Sequence, residues 1–530
     1  MYWLDRQDSN LRMLGPKPSA LPLGDGPILN LILPHFIFLV NIEYVLYNID
    51  IVEDFLKKTY PFFLSLGLVF FAVFFLSLLN TGLGFAGFFM TAIFVTLIYI
   101  FIKNKTKIIK FFKTHPKLFK NLCYILIGLG LIARLSFLFL TPNIEPNNYL
   151  TDTTVQFGGA SQIVETGTLD QTVGEYDNVF PFIHTYTLTL SIFMRVFGQN
   201  YTAVIISNTL FDILSGIVIY ILIKLWRKKS SLALLAAALW AINPLQIIFC
   251  ALPMPIIVVN LFVVLTILCV FLLFTNIKNL KRFLIVAFYT GIVLALGNNY
   301  RPIFIVFLIA LICTIILRAL NNHSEIKRLS LATAIIILTF GLVGLIQKPI
   351  FTSVNPYYKG TSSNGGWSFF VGSNYQTAGS WNDKDYDTFE QILASSNQNV
   401  PLAHSEMFNR GVNRYLDLAS EHKIFKHLLN KFNVLFVDIK SITYNLEYVF
   451  NISKPFIDVT KNLIAAFYYL LMLGATSFFV KSFKKPTYRK HAYFVCFVVI
   501  SIVGFCSSAL LVETMSRYVM PLIPMLMVLL

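Results

Sequence analysis

Read for hydropathy alone, the chain is a succession of apolar runs of about 20 residues, separated by short basic links and by two long polar stretches. A helix rising about 1.5 Å per residue crosses the roughly 30 Å of bilayer hydrocarbon in such a run. The pattern predicts spans near residues 60–79, 82–102, 121–140, 202–223, 231–250, 255–274, 283–296, 302–317, 329–346, 463–480, 492–511 and 519–530. Short or proline-flanked runs among these are open to merging or to re-entrant geometry. Residues 28–47 are also apolar, but Pro34, His35, Asn41 and Glu43 make them a poor span.

The basic residues orient this array. Lys103 to Lys120, Lys224 to Lys229, Lys278 to Arg282, Arg318 to Arg328 and Lys481 to Lys490 cluster in links between apolar runs, the signature of cytoplasmic loops. With those links inside, both long polar stretches, 141–201 and 348–461, fall on the outer face, where the two loops can build one site. Residues 57–530 therefore read as one transmembrane domain. Residues 1–56 read as an extension: 1–27 are polar, aperiodic and lack the basic-then-apolar layout of a secretory leader. They resemble a reading frame carried through a transfer-RNA gene, which implies a start between 45 and 57; a disordered cytoplasmic tail is the alternative.

Composition agrees with the pattern. The chain has 530 residues, 56% hydrophobic and only 13% charged, with a mean hydropathy of +0.69, which excludes a soluble globular protein. The net charge of +16 does not indicate nucleic acid, because the positive residues sit in the links. All six cysteines lie in apolar runs without metal-ligand spacing, so neither a disulfide framework nor a zinc site is expected.

Within the outer loops, residues 154–166 carry helical apolar spacing (Val155, Ala160, Ile163) and end at Gly167, a helix stop. Residues 404–446 read as amphipathic interfacial helices, with Phe408, Val412, Tyr415 and Leu416 on one side and Arg410, Arg414 and Glu421 elsewhere. Residues 364–387 (NGGWSFFVGSNYQTAGSWNDKDYD) have the Gly, Asn and aromatic content of a loop that binds polar rings, with Asn374 and Trp381 as candidates.

Asp152 is the sharpest candidate for chemistry: a carboxylate about a dozen residues beyond an apolar run, where membrane gives way to water. The plainer reading is a helix N-cap or a solvated acid. Arg301 follows Asn298, Asn299 and Tyr300 at the outer end of a run, and Arg517 lies just outside another. A guanidinium there suits a phosphate; snorkelling to headgroups is the alternative. His184 could contact substrate, but a packed histidine is the plainer reading. Glu513 and Arg517, at i,i+4, read as a structural ion pair. Glu165, Asp170, Glu175 and Asp177 read as solvated, and Asp383 and Asp385 are weaker candidates for a metal or sugar.

The segment YLTDTTVQFGGASQIVETGTLDQTVGEYDNVFPFIHTYTLTLSIFMRVFG, residues 149–198, resembles the first outer loop of the GT-C glycosyltransferases, especially glycosyltransferase family 39 and its relatives. Those relatives include the protein O-mannosyltransferases and lipid A aminoarabinose transferases. Matching elements are the acid ahead of a helix in TDTTVQFGGASQI, the GTL that follows it, the aromatic–proline FPFIHTYTL and the VFG before the next span. Further along come NYRP (299–302), GSNYQTAGSWNDKD (372–385), like the long-loop motif of firmicute members, and ETMSRY (513–518). Order and topology carry the resemblance over most of residues 60–530.

The resemblance implies an all-α polytopic membrane protein of GT-C type, with about 11–13 transmembrane helices and two large outer loops bearing interfacial helices. It implies transfer of a sugar from a polyprenyl-phosphate donor to a glycan, lipid or protein acceptor, at the extracytoplasmic face of a bacterial plasma membrane. Donor and membrane lipid are the implied partners; nucleic acid is not among them. Asp152 would act as base or as ligand to a divalent metal ion, with Arg301, Arg517, His184, Tyr149, Asn374 and Trp381 binding substrate. The chain departs from the pattern in CALPMPIIVVNLF (250–262), where several family members carry a second acid and this one has none. One acid must therefore suffice, or the chain is a divergent, inactive member. A transporter or flippase for lipid-linked saccharides is the rival class; the sequence shows no internal repeat and few ionisable groups within spans, which favours an enzyme. A polymerase or ligase shares the topology.

Overall fold

The computed structural model describes residues 103–140, 152–358, 365–436, 453–484 and 491–529. The spans expected at 60–79 and 82–102, the 1–56 extension and Tyr149 lie outside the described residues.

In hydrocarbon every backbone amide must be satisfied internally, and the chain does this with helices alone; no strand occurs among the described residues. A short amphipathic helix, α1 (Lys105–Thr114), precedes α2 (Pro116–Leu135), which α3 (Phe137–Leu140) continues past a break at Ser136. Further spans are α7 (Tyr201–Arg227), α10 (Ile256–Thr275), α11 (Leu280–Tyr300), α12 (Phe304–Asn321), α13 (Ile326–Val354) and α19 (Ala492–Leu511). Seven described helices are long and apolar enough to cross a membrane, or eight if α8 (Ser230–Ala241) and α9 (Pro244–Cys250), bent by 52°, form one broken span. The chain is thus an all-α, multi-pass membrane protein. The run expected at 463–480 lies within α18 (Lys454–Lys484). The run expected at 519–530 is instead a 3-10 turn, Ser516–Val519, followed by α20 (Leu522–Leu529), whose eight residues are all buried. Its eight residues rise about 12 Å and are packed among the other helices.

Helix ends follow local chemistry. α7 starts where Asn200 accepts a hydrogen bond from the Thr202 amide at 2.9 Å, and it ends in Lys224, Arg227 and a left-handed Lys228. Apolar side chains left exposed, such as Ile125, Leu129 and Ile132 on α2 and Leu338, Leu342 and Leu345 on α13, are the lipid-facing surface of a membrane bundle.

The break between α8 and α9 explains a buried charge pair. Pro244 interrupts the helix, and the Leu245 amide turns to the Asn243 side chain at 3.1 Å, leaving the Ala241 carbonyl without its helical donor. Arg134 of α2 supplies one: its Nη1 donates to Ala241 and to Gly130, while its Nη2 pairs with Asp212 at 2.6 Å. Gly130 allows the approach, since a Cβ there would sit 2.2 Å from the Ala241 oxygen. The sequence placed Arg134 and Asp212 at or near span ends. Asp212 in fact sits mid-helix in α7, made tolerable by its partner.

A layer at one end of the bundle joins both polar stretches. The first contains α4 (Asp152–Thr166), α5 (Gln171–Val179) and α6 (His184–Phe197), with Gly167 at φ +82° ending α4 as its sequence predicts. The second contains α14 (Gly365–Gly372), α15 (Asp383–Ser395), α16 (Val400–Ser420) and α17 (Ile424–Phe436). Phe180 of the first loop is buried in one apolar cluster with Trp367, Phe370, Phe389 and Met407 of the second. Arg410 and Arg414 part company: Arg410 pairs with Glu406 on the exposed side of α16, whereas Arg414 turns inward. It lies 3.6 Å over the Phe370 ring and donates to Asp385 at 2.9 Å, inside the loop assembly.

Replacing Asp212 by Asn strands the Arg134 charge in the bundle. The expected cost is about 3–5 kcal/mol, read as a lowered thermal midpoint in detergent. Adding Arg134→Met to that variant recovers part of the loss. An unchanged midpoint for Asp212→Asn would contradict the pairing.

Candidate active site

Three separate parts of the chain meet at one end of the bundle. Asp152, in the first turn of α4, accepts a hydrogen bond from the Tyr176 hydroxyl of α5 at 3.1 Å on one oxygen. Its other oxygen pairs with Arg517 Nη2 at 2.7 Å. The two side chains are 20% and 12% exposed, buried enough to strengthen the pair and open enough to meet a ligand. Arg301 ends α11, and its guanidinium lies 5.0 Å from the Phe182 ring and 4.9 Å from the Tyr518 ring. Tyr518 is also 5.7 Å from the Arg517 guanidinium, so one ring links the two arginines.

Each member is held from behind. The turn carrying Arg301 is tied to α6 by Thr185, which donates to the Asn299 carbonyl at 3.0 Å, and by the Thr189–Tyr300 hydroxyl pair at 2.7 Å. Asn299 also donates to Gln347 of α13. The 513–518 segment is fixed to the second loop, the Glu513 amide donating to Ser368 at 2.6 Å and the Thr514 amide to Gly379 at 2.8 Å. Behind that segment lies Lys431 of α17. Its Nζ donates to the carbonyls of Gly372 at 2.6 Å and Val512 at 2.7 Å, and to the Tyr415 hydroxyl at 3.3 Å. Three acceptors suit an ammonium with three protons. Burial nevertheless pushes Lys431 down to about 7, and the Glu513 carboxylate acts against that fall. Tyr415 donates to Gly372 and Leu511, and His427 Nε2 also contacts Gly372, so this carbonyl is the centre of the knot. A Cβ at Gly372 would come within 2.5 Å of the Val512 backbone, which is why glycine stands there.

Glu513 is buried and receives the Tyr518 hydroxyl at 3.2 Å. Desolvation raises its carboxyl to about 7, Arg517 opposing this and Asp152 adding to it. It was expected to form a helical ion pair with Arg517. Instead residues 513–515 are not helical, and Arg517 bonds to Asp152. Glu513 and Arg517 still feel each other's charge. Tyr176, whose hydroxyl burial and the Asp152 charge hold well above the usual tyrosine range, donates to Asp152 as a neutral phenol.

The structure thus brings Asp152, Arg301 and Arg517 together. It places His184 elsewhere: the ring is 1% exposed, pairs with Asp177 and packs on Phe351 and Tyr358. Asp177 is bound in turn by Asn355 at 2.8 Å, so this pair braces the first loop against the end of α13. Asn374 donates to Asp385 at 2.9 Å and accepts from two amides of its own turn. Asp385 is further committed to Asn382 and Arg414, while Asp383 is exposed. Trp381 is 47% exposed, 6.3 Å from the Tyr386 ring. Asp170, expected to be solvated, caps α5 by accepting from the Val173 amide.

The fit for a divalent metal at Asp152 is poor. A guanidinium occupies one of its oxygens and a phenol the other, and no three ligating side chains converge among the described residues.

Residues 181–345 match the family model described as dolichyl-phosphate-mannose-protein mannosyltransferase. The stretch includes Phe182, His184 and Arg301 but not Asp152, Glu513 or Arg517. It bears out the GT-C resemblance and supports glycosyl transfer from a lipid-linked donor. No curated protein and no solved structure matches the chain.

Lys431→Met removes the donor from the Gly372 and Val512 carbonyls. The expected loss is about 2–3 kcal/mol of stability, measured as a lower thermal midpoint and faster proteolysis within 365–436.

Proposed function

We propose that this protein transfers a sugar from a polyprenyl-phosphate-linked donor to an acceptor hydroxyl at the extracytoplasmic face of a bacterial plasma membrane. The observation that carries the reading is the convergence of one carboxylate, Asp152, with two guanidiniums, Arg301 and Arg517, at the bundle end opposite the lysine-rich links. Positive-inside orientation supports placing that end outside.

In this reading the acceptor oxygen attacks the anomeric carbon and the bond from that carbon to the phosphate oxygen breaks. The acceptor proton passes to Asp152, and the electron pair leaves with the lipid phosphate. That phosphate gains one negative charge as the bond breaks, so fixed guanidiniums beside it stabilise the transition state more than the ground state. Arg301 and Arg517 are placed to do so. Tyr176 holds the Asp152 carboxylate in register for proton transfer. No metal enters this scheme, given the donors already on Asp152. The exposed Trp381 ring offers a face for the sugar, whereas Asn374 shapes its own loop, and His184 supports the wall.

Membranes carrying the protein and a radiolabelled polyprenyl-phosphate hexose test the reading. Asp152→Asn is expected to lower transfer by about a hundredfold or more with donor retained, as for loss of a general base. Arg301→Ala should weaken donor use, visible first in KM. Full transfer by Asp152→Asn would remove the assignment.

A further inference from the structure

Glu513 is a buried carboxylate that the scheme above leaves without a task. Charged groups face it from four places: Arg517 on its own segment, Asp152 on α4, Arg301 at the end of α11 and Lys431 on α17. Its backbone is fixed to α14 through Ser368, and its side chain to Tyr518, whose ring lies against both arginines. When Glu513 is ionised, two carboxylates balance two guanidiniums. When it is neutral, Asp152 alone faces the two guanidiniums, which then carry one surplus positive charge besides that of Lys431.

We propose that Glu513 belongs to the donor site and sets its affinity by its charge: ionised, it competes with the donor phosphate for Arg301 and Arg517, and protonated, it leaves both to the phosphate. The inference rests on the lipid-phosphate reading above. Desolvation, opposed by Arg517, raises the carboxyl to about 7, which places the change at neutral pH. A raised acid is protonated below that point and ionised above it. Donor affinity is therefore high on the acid side and falls as pH rises. Loss of the Lys431 proton acts in the same direction, so the test must separate the two groups.

Glu513→Gln separates them. The amide keeps the size of the side chain and an oxygen for the Tyr518 hydroxyl, and it removes only the ionisation. The probe is decaprenyl methyl phosphate, a sugarless diester whose single charge is constant across the range, used with the full-length protein in nanodiscs. Between about pH 6 and about pH 8.5 the parent should lose roughly tenfold in affinity, the effect of one charge at partial screening. At the higher pH Glu513→Gln should bind more tightly than the parent, and its remaining fall with pH, owed to Lys431, should be shallower. A side chain needed only for shape predicts weaker or unchanged binding, never this gain. As a second arm, Tyr518→Phe removes a hydrogen bond that favours the ionised form, so the parent's midpoint should move to higher pH. Overturning results are a Glu513→Gln slope equal to the parent's, or weaker binding by that variant at both pH values. A parent that binds the probe at neither pH overturns the donor-site reading itself, a failure distinct from that of Glu513.

Discussion

The ion pair of Asp152 and Arg517 connects positions 365 residues apart. Packing and hydrogen bonds at this end of the bundle deliver these two side chains to each other. The pair is mostly withdrawn from water, so desolvation of both groups offsets much of its attraction and it does not by itself hold the fold together. Its geometry has to be imposed by scaffolds on each side. On the Asp152 side these are α4 packed on α6 and the buried His184–Asp177–Asn355 set. On the Arg517 side it is Lys431, which binds the ends of α14 and α19 through their own carbonyls. Both supports are polar and buried, as befits groups whose loss leaves unsatisfied partners.

Two kinds of charge can thus be told apart in this bundle. Arg134 with Asp212, and Lys431 within its carbonyls, are almost wholly enclosed and answer to backbone groups freed at helix breaks and ends. Asp152, Arg301 and Arg517 are partly open and answer to one another and to aromatic faces. The first kind completes the hydrogen bonding that hydrocarbon demands. The second retains capacity for a ligand, because aromatic contacts leave the guanidinium N–H groups of Arg301 free to turn toward a phosphate without breaking an ion pair.

The spans were legible because hydrocarbon imposes one rule on every residue in them; the run at 492–511 coincides with α19 end for end. The 3-10 turn that opens the run at 519–530 was not legible, since an apolar stretch buried among other helices has the same composition as one facing lipid. Asp152, Arg301 and Arg517 were legible as charges at span ends. Their pairing was not: the i,i+4 spacing of Glu513 and Arg517 holds only on a helix, and the chain is not helical there. Lys431 did leave a signal, standing in register with His427 and Leu435 on the apolar face of α17, where a lysine is costly unless its protons are all bound.

The missing acid after the fifth span also takes on a different meaning. A site that transfers a sugar away from a phosphate has to handle two charges that move in opposite directions, a proton arriving and a negative charge departing. One carboxylate can take the proton, but the same carboxylate held against Arg517 also opposes that arginine's pull on the phosphate. A second carboxylate close to Arg517 would share this load, and its effect would depend on whether it carries a charge. Residues 250–262 supply none, and the connection leading to α20 supplies Glu513. The requirement concerns charge at a point in space, and any segment reaching that point can meet it. For that reason an acid missing from one loop does not by itself mark the chain as inactive.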